Sequence, residues 1–285
     1  MHRLLTLTLL LLAATHSAAE DRFAGIEIKT QKLTDHIYML TGAGGNIGLS
    51  VGDDGILMVD DQYAAMAPKI KAVLANLGDD TPAYVLNTHF HGDHTGGNAT
   101  FGRDSIIIAH DNVRVRLLSA AEAPAASSLP VITYNDEVSV FFNGEDIRLL
   151  HMPVAHTDTD TFVHFKTSNV LHLGDIFWNG LFPFVDIDSG GNVDGVMQGI
   201  AAALALCNTN TQVIPGHGPL GNPTQLQAFQ RMLQVTSDLV KAQIAAGASL
   251  DEILAAGLGA EWAAWGSGFI TQERWLRTLY RSYAS

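Results

Sequence analysis

Residues 88–94 read Thr-His-Phe-His-Gly-Asp-His, directly after the apolar stretch at 83–86 and before the Thr-Gly-Gly-Asn of 95–98. Three imidazoles and a carboxylate crowded into seven residues would each need a separate hydrogen-bond partner if buried. One borderline-soft divalent cation satisfies nitrogen and oxygen donors together, at about 2.0–2.2 Å. An isolated histidine is ordinarily structural, but His-x-His-x-Asp-His at the end of a strand is not accounted for in that way. His89, His91, Asp93 and His94 therefore read as half of a metal site.

Four donors in one loop cannot all close on one ion, so further ligands belong on other strand ends. His156 lies in Met-Pro-Val-Ala-His-Thr-Asp (152–158), Asp175 in Leu-His-Leu-Gly-Asp (171–175) and His217 in Val-Ile-Pro-Gly-His-Gly-Pro (213–219). Each follows a short apolar run and sits among Gly, Pro or Thr, the composition of a turn at a strand terminus.

In this order the motifs resemble the metallo-β-lactamase superfamily, and the resemblance runs from about residue 34 to residue 220. It implies that His89, His91 and His156 hold a first metal, that Asp93, His94 and His217 hold a second, and that Asp175 bridges them. Two zinc ions per chain and hydrolysis of a small-molecule carbonyl compound, a lactam, lactone, ester or thioester, are what such a set implies, with Asp93 also orienting the nucleophile. The chain departs from the cysteine-bearing β-lactamases at two points: Asp175 stands where they have Cys, and Trp178 where they have the lysine that grips a substrate carboxylate. Asp175 is instead similar to the bridging carboxylate of glyoxalase II and lactonases. Asn192 resembles the asparagine that polarises a lactam carbonyl. Alternative readings are a glyoxalase II-like thioesterase, a mononuclear iron persulfide dioxygenase using His89, His156 and Asp175, and a binding protein on a retained fold.

Strand patterns at 27–32, 36–40, 47–51 and 56–59 open the chain as a meander, and Met66, Ile70, Val73, Leu74 and Leu77 then mark a helix over 64–77. A strand at 106–109, a helix at 111–118 and a loop at 119–130 follow. A second strand group lies at 138–142, 146–150, 162–165 and 170–173, with a helix over 196–206 and a strand at 212–214. Two β-rich halves, each followed by helices, predict an α/β fold: a four-layer αββα sandwich of two mixed sheets with the metal site at one edge. Asn222, Ser249 and Thr271 are expected to cap three helices of a helical C-terminal part over about 222–285, with Trp262, Trp265 and Trp275 as packing aromatics.

With 285 residues, 47% of them hydrophobic, the chain can bury one large core. Residues 1–19 pair a cationic start with an apolar run and a small-residue stop, the pattern of a cleaved export signal, so residues 20–285 are expected to form a single periplasmic or secreted domain. Removing 1–19 takes away one arginine and no acid, moving the formal charge from −13 to −14, which argues against nucleic acid or an anionic membrane as partner. The single Cys207 excludes an intrachain disulfide and is expected to be a small packing residue. His36, His110, His151, His164 and His172 are expected to be structural, with His151 and His172 nearest to supporting the ligands. The glycine-rich stretch 42–45 is expected to be a mobile hairpin beside the site.

Overall fold

The computed structural model describes residues 22–284. One sheet has seven strands in sequential order: β1 (Lys29–Lys32), β2 (Ile37–Thr41), β3 (Ile47–Gly52), β4 (Gly55–Val59), β5 (Tyr84–Leu86), β6 (Ile106–His110) and β7 (Ile132–Tyr134). Its first four strands pair antiparallel, and the pairs from β4 to β7 are parallel. The second sheet contains β8 (Glu137–Phe142), β9 (Glu145–His151), β10 (Thr161–Phe165), β11 (Val170–His172) and β12 (Gln212–Ile214) in the order β12-β11-β10-β9-β8, with β11 and β12 parallel. Both sheets are mixed, as expected.

Side chains alternate across a strand, so a strand buried on both faces feeds two cores. β4 does this: Leu57 and Val59 join Ile147, Leu149, Val163 and Phe165 between the sheets, while Ile56 and Met58 pack outward against Met66, Ile70 and Leu74. β10 does the same from the other side, with Phe162 turned outward to Ile200, Phe229 and Trp275. The outer layers are the helix Ala67–Leu77 on the first sheet and the helices Val193–Leu206, Pro223–Ala245 and Gln272–Tyr283 on the second. The four-layer αββα sandwich follows, and burying each such Leu, Ile or Phe contributes roughly 1.5–3 kcal/mol.

The helix ends are set locally. Asn222 and Ser249 each form a reciprocal capping box, with Gln225 and Glu252 respectively, and Thr271 accepts from the Arg274 amide. Trp262 and Trp275 are core residues and Trp265 packs against them. Cys207 is half-buried at the rim of the same core. The export-signal reading falls on residues 1–19, outside the described ones. No helix among the described residues is long and apolar enough to cross a membrane.

Candidate metal centre

Strand direction brings the motifs together. β9 is antiparallel to β10, and β10 to β11, so β9 runs with β11 and with its parallel neighbour β12. The segments that leave these three strands carry His156, Asp175 and His217, and they meet the histidine run that leaves β5. His94 lies in the helical turn Gly92–Thr95, and Asp175 in the 3-10 turn Gly174–Ile176. All seven residues expected from the sequence converge as two adjoining groups: His89, His91, His156 and Asp175 in one, and Asp93, His94 and His217 in the other.

Asp175 joins the two. Its Oδ1 lies 3.0 Å from His94 Nε2 and 3.3 Å from His217 Nε2, while its Oδ2 lies 3.5 Å from His156 Nε2 and 3.9 Å from His89 Nε2. Asp93 Oδ2 stands 3.3 Å from His217 Nε2 and 3.8 Å from His94 Nε2.

Four of the rings are anchored at the nitrogen facing away from the centre. His94 Nδ1 meets Asp60 Oδ2 at 2.7 Å, and His91 Nε2 meets Asp186 Oδ2 at 3.0 Å. His156 Nδ1 donates to the Phe184 carbonyl at 2.8 Å, and His89 Nδ1 lies 3.1 Å from Thr88 Oγ1, which itself donates to Asp60. Such anchoring fixes the tautomer and turns a lone pair inward. His91 Nδ1 and His156 Nε2 consequently face each other at 2.9 Å, and with both rings neutral in these tautomers the two lone pairs repel unless they share a proton or a metal ion. His89 Nε2, His94 Nε2 and Asp175 Oδ1 are buried without a hydrogen bond among the described residues; the 3.0 Å approach of the last two is close but not aligned as one. A buried polar atom left unpaired costs about 1–3 kcal/mol. The donor set therefore fits divalent metal.

The electrostatics point the same way. Burial holds His89 well below the ordinary histidine range and His156 at about 4, so both are neutral donors. At His94 burial is outweighed by the carboxylates of Asp175, Asp93 and Asp60, and the ring is held well above that range. His217 is pushed up to about 9 because Asp175 and Asp93 overcome the same burial. For Asp175, burial is overcome by His217 and His94, which keep the carboxyl ionised. Positive charge is thus demanded where a second cation would sit.

Backbone meets the centre closely. A Cβ on Gly45 would come within 2.0 Å of the His94 ring, and one on Gly216 within 2.0 Å of Asp175 Oδ1. The 42–45 stretch is the hairpin link between β2 and β3 beside the centre, as expected from composition, but it is held there and not loose. Gly45 donates to the Asp93 carbonyl and accepts from Gln62 Nε2, which pins it.

Two further expectations are corrected and one holds. Asn192 caps the helix Val193–Leu206, accepting from the Asp194 and Gly195 amides, and does not line the cavity. His151 stacks on His110 at 3.5 Å and bonds the Asp160 carbonyl, touching no ligand. His172 does act as support: its Nδ1 accepts from the Gly174 amide beside Asp175, and its Nε2 bonds the Asn46 carbonyl. Asp60 and Asp186 were missed by the motif reading. The signal for Asp60 was an acidic pair ending the otherwise apolar run 56–59.

The centre forms the floor of a cavity of about 540 Å³. Tyr63, Trp178, Leu181, Phe184 and Phe269 line it, with no lysine or arginine among the lining residues. Trp178, in place of the clamp lysine, packs its buried ring 4.1 Å from His217. Arg116 is held bidentate by Asp158, and Arg114 donates to the Pro130 carbonyl, so neither supplies the missing charge.

Two facing mixed sheets with a seven-residue His/Asp centre at their strand ends define an αββα metal-binding fold. The chain belongs to the metallo-β-lactamase superfamily, whose family model matches residues 40–235 and whose members are generally hydrolases. It is 32% identical over 145 residues to a hydroxyacylglutathione hydrolase of Nitrosococcus oceani, covering 48% of this chain and 49% of that protein. It is 26% identical over 135 residues to the 2,4-dinitroanisole O-demethylase subunit alpha of a Nocardioides species, covering 45% and 40%. The chain thus spans about half or less of the curated relatives it matches. Among solved structures, a metallo-β-lactamase from Pontibacter korlensis superposes with a TM-score of 0.63 at 14% identity, over 73% of this chain and 99% of that one. A double mutant of the sec-alkyl sulfatase PisA1 gives 0.72 at 16%, over 90% and 50%. At these identities the structural likeness concerns the fold alone.

Proposed function

We propose that the chain is a dinuclear zinc hydrolase that cleaves neutral or hydrophobic lactones, esters or thioesters, and that residues 1–19 direct it out of the cytoplasm. The observation that carries the reading is one carboxylate, Asp175, shared by two donor groups at the floor of an apolar cavity. Zinc bound there would lower the pKa of water toward neutrality and polarise a substrate carbonyl. His89, His91 and His156 would hold one ion, Asp93, His94 and His217 the other, with Asp175 between them. Asp93, partly exposed to the cavity, is placed to accept a hydrogen bond from the attacking water and so orient it. Leu181, Phe184, Trp178 and Phe269 would take the substrate's apolar part and exclude water around the reacting carbonyl.

The absence of lysine and arginine from the cavity lining favours uncharged substrates over carboxylate-bearing β-lactams. A thioester reading is supported by the relative named a hydroxyacylglutathione hydrolase, but the lining offers no lysine or arginine for a glutathione carboxylate.

The test is elemental analysis of the purified mature chain followed by kcat/KM on a neutral lactone, an ester, a thioester and a penicillin. Zinc near two per chain and the highest value on an uncharged substrate are expected. One iron and no zinc would establish the dioxygenase alternative instead. A β-lactam value at or above about 10⁵ M⁻¹s⁻¹ would overturn the substrate assignment.

A further inference from the structure

Tyr63 follows three fully buried polar residues, Asp60, Asp61 and Gln62. Two of these are left-handed, with φ of 63° at Asp60 and 58° at Gln62, a conformation that costs on the order of 1–3 kcal/mol per residue unless its surroundings hold it. They are held. The Asp60 amide donates to the Leu86 carbonyl and the Asp61 amide to the His94 carbonyl, while Gln62 Nε2 donates to the Gly45 carbonyl. The backbone turn tied to the ligand loop in this way delivers Tyr63, in extended conformation, to the cavity wall beside Asp93, Asp175 and His217.

The ring is fixed from behind by Phe23, centroid to centroid 5.3 Å, and by the Arg22 guanidinium at 5.5 Å. The hydroxyl makes no hydrogen bond among the described residues. The rest of the lining consists of glycines, members of the two donor groups and apolar side chains, and the Trp178 N–H is buried from the cavity. Among the described residues, Tyr63 therefore brings the one side-chain hydroxyl to this wall. A phenol ordinarily ionises only at about pH 10, so it serves here as a neutral donor.

Resting on the functional reading above, we propose that the Tyr63 hydroxyl donates a hydrogen bond to an uncharged acceptor oxygen of the substrate, and is the residue that orients a neutral ester or lactone against the apolar wall. A wall that offers one neutral donor, and neither lysine nor arginine, rewards an uncharged oxygen and gives a substrate carboxylate no side-chain clamp.

The test uses the zinc-loaded full chain carrying Tyr63→Phe, which keeps the ring packed against Phe23. For a neutral lactone, KM should rise about tenfold with kcat within about twofold, the signature of lost ground-state binding. Binding of the matching cyclic ketone, which is not hydrolysed, should weaken by the same factor in calorimetry. Tyr63→His, which retains a ring N–H donor, should recover part of the affinity. Unchanged KM and ketone affinity, a loss that tracks lost zinc, or a Tyr63→His variant no better than Tyr63→Phe would each overturn the proposal. Should the wild type cleave no member of the substrate panel, the functional reading fails, while ketone binding still decides the role of Tyr63.

Discussion

Asp60 Oδ2 lies 2.7 Å from His94 Nδ1, and the same carboxylate accepts from the amide and hydroxyl of Thr88, whose oxygen touches His89 Nδ1. One fully buried aspartate thus braces a histidine of each donor group. The two groups share a support beneath them as well as Asp175 between them, so their geometries are coupled.

Asp60→Asn tests that coupling. The amide retains the shape but offers a single acceptor oxygen to three donors, so at least one faces an NH2 group. Loss of a partner that orients a metal-binding histidine typically weakens metal affinity 10–100-fold. Zinc affinity should fall at both groups, with a lowered Tm of the metal-free chain. Competition with a chromophoric chelator measures the first and a thermal melt the second; unchanged zinc affinity would show that Asp60 serves folding alone.

Asp175→Ala and Asp93→Ala should separate a shared ligand from a private one. Removing Asp175 takes a carboxylate oxygen from each group and should lower zinc content at both. Removing Asp93 leaves His89, His91, His156 and Asp175 in place and should release close to one ion per chain of two, with turnover down by roughly 10²–10⁴ for a lost proton-handling group. Metal analysis of both variants, with circular dichroism to establish folding, checks this. Equal zinc loss in the two variants would refute the bridging role.

Proton competition should make the two groups fill differently with pH. His217, held up to about 9, and His94, also raised, must each lose a proton before binding a cation. Their group should gain affinity as pH rises toward 9 and lose it as pH falls, by up to about tenfold per pH unit for each proton released. His156, at about 4, and His89 are already neutral, so the other group should hold metal down to about pH 5. Cobalt titrations read by absorption at about pH 6 and about pH 8 should show one class of site at the lower pH and two at the higher. Two sites of equal affinity at both would contradict the charge assignment.

What was legible in the sequence were residues whose chemistry is local. His89, His91, Asp93 and His94 declare themselves by spacing, and His156, Asp175 and His217 by standing in Gly/Pro/Thr turns after apolar runs. The two groups of strand patterns, which include those of β4 and β10, conveyed the two facing sheets. Asp60 and Asp186 were not legible, because their partners, His94 and His91, lie 34 and 95 residues away and nothing in an isolated aspartate names its donor. Asn192 misled for the opposite reason. An asparagine in a loop before a helix suits both a cap and a catalytic amide, and only the hydrogen bonds to Asp194 and Gly195 decide for the cap.

Phe269 carries the last prediction. It is 64% exposed yet lines the cavity, on the segment joining the 3-10 stretch Ala260–Ser267 to the helix Gln272–Tyr283. The Arg274 guanidinium lies 4.6 Å from its ring centroid, and Arg274 Nη1 donates to its carbonyl at 3.0 Å. An exposed aromatic at the mouth of an apolar cavity gains burial only when a ligand covers it. Fully burying a phenylalanine contributes roughly 1.5–3 kcal/mol, and partial covering less, on the order of 1 kcal/mol, or about fivefold in affinity. Phe269→Ala should therefore raise KM several-fold for lactones with a long alkyl chain and leave a short-chain lactone within about twofold, with zinc content unchanged. A series of lactones differing only in chain length, assayed on wild type and variant, gives the answer. A KM increase independent of chain length would place the effect on the helix that Phe269 precedes, not on contact with the substrate.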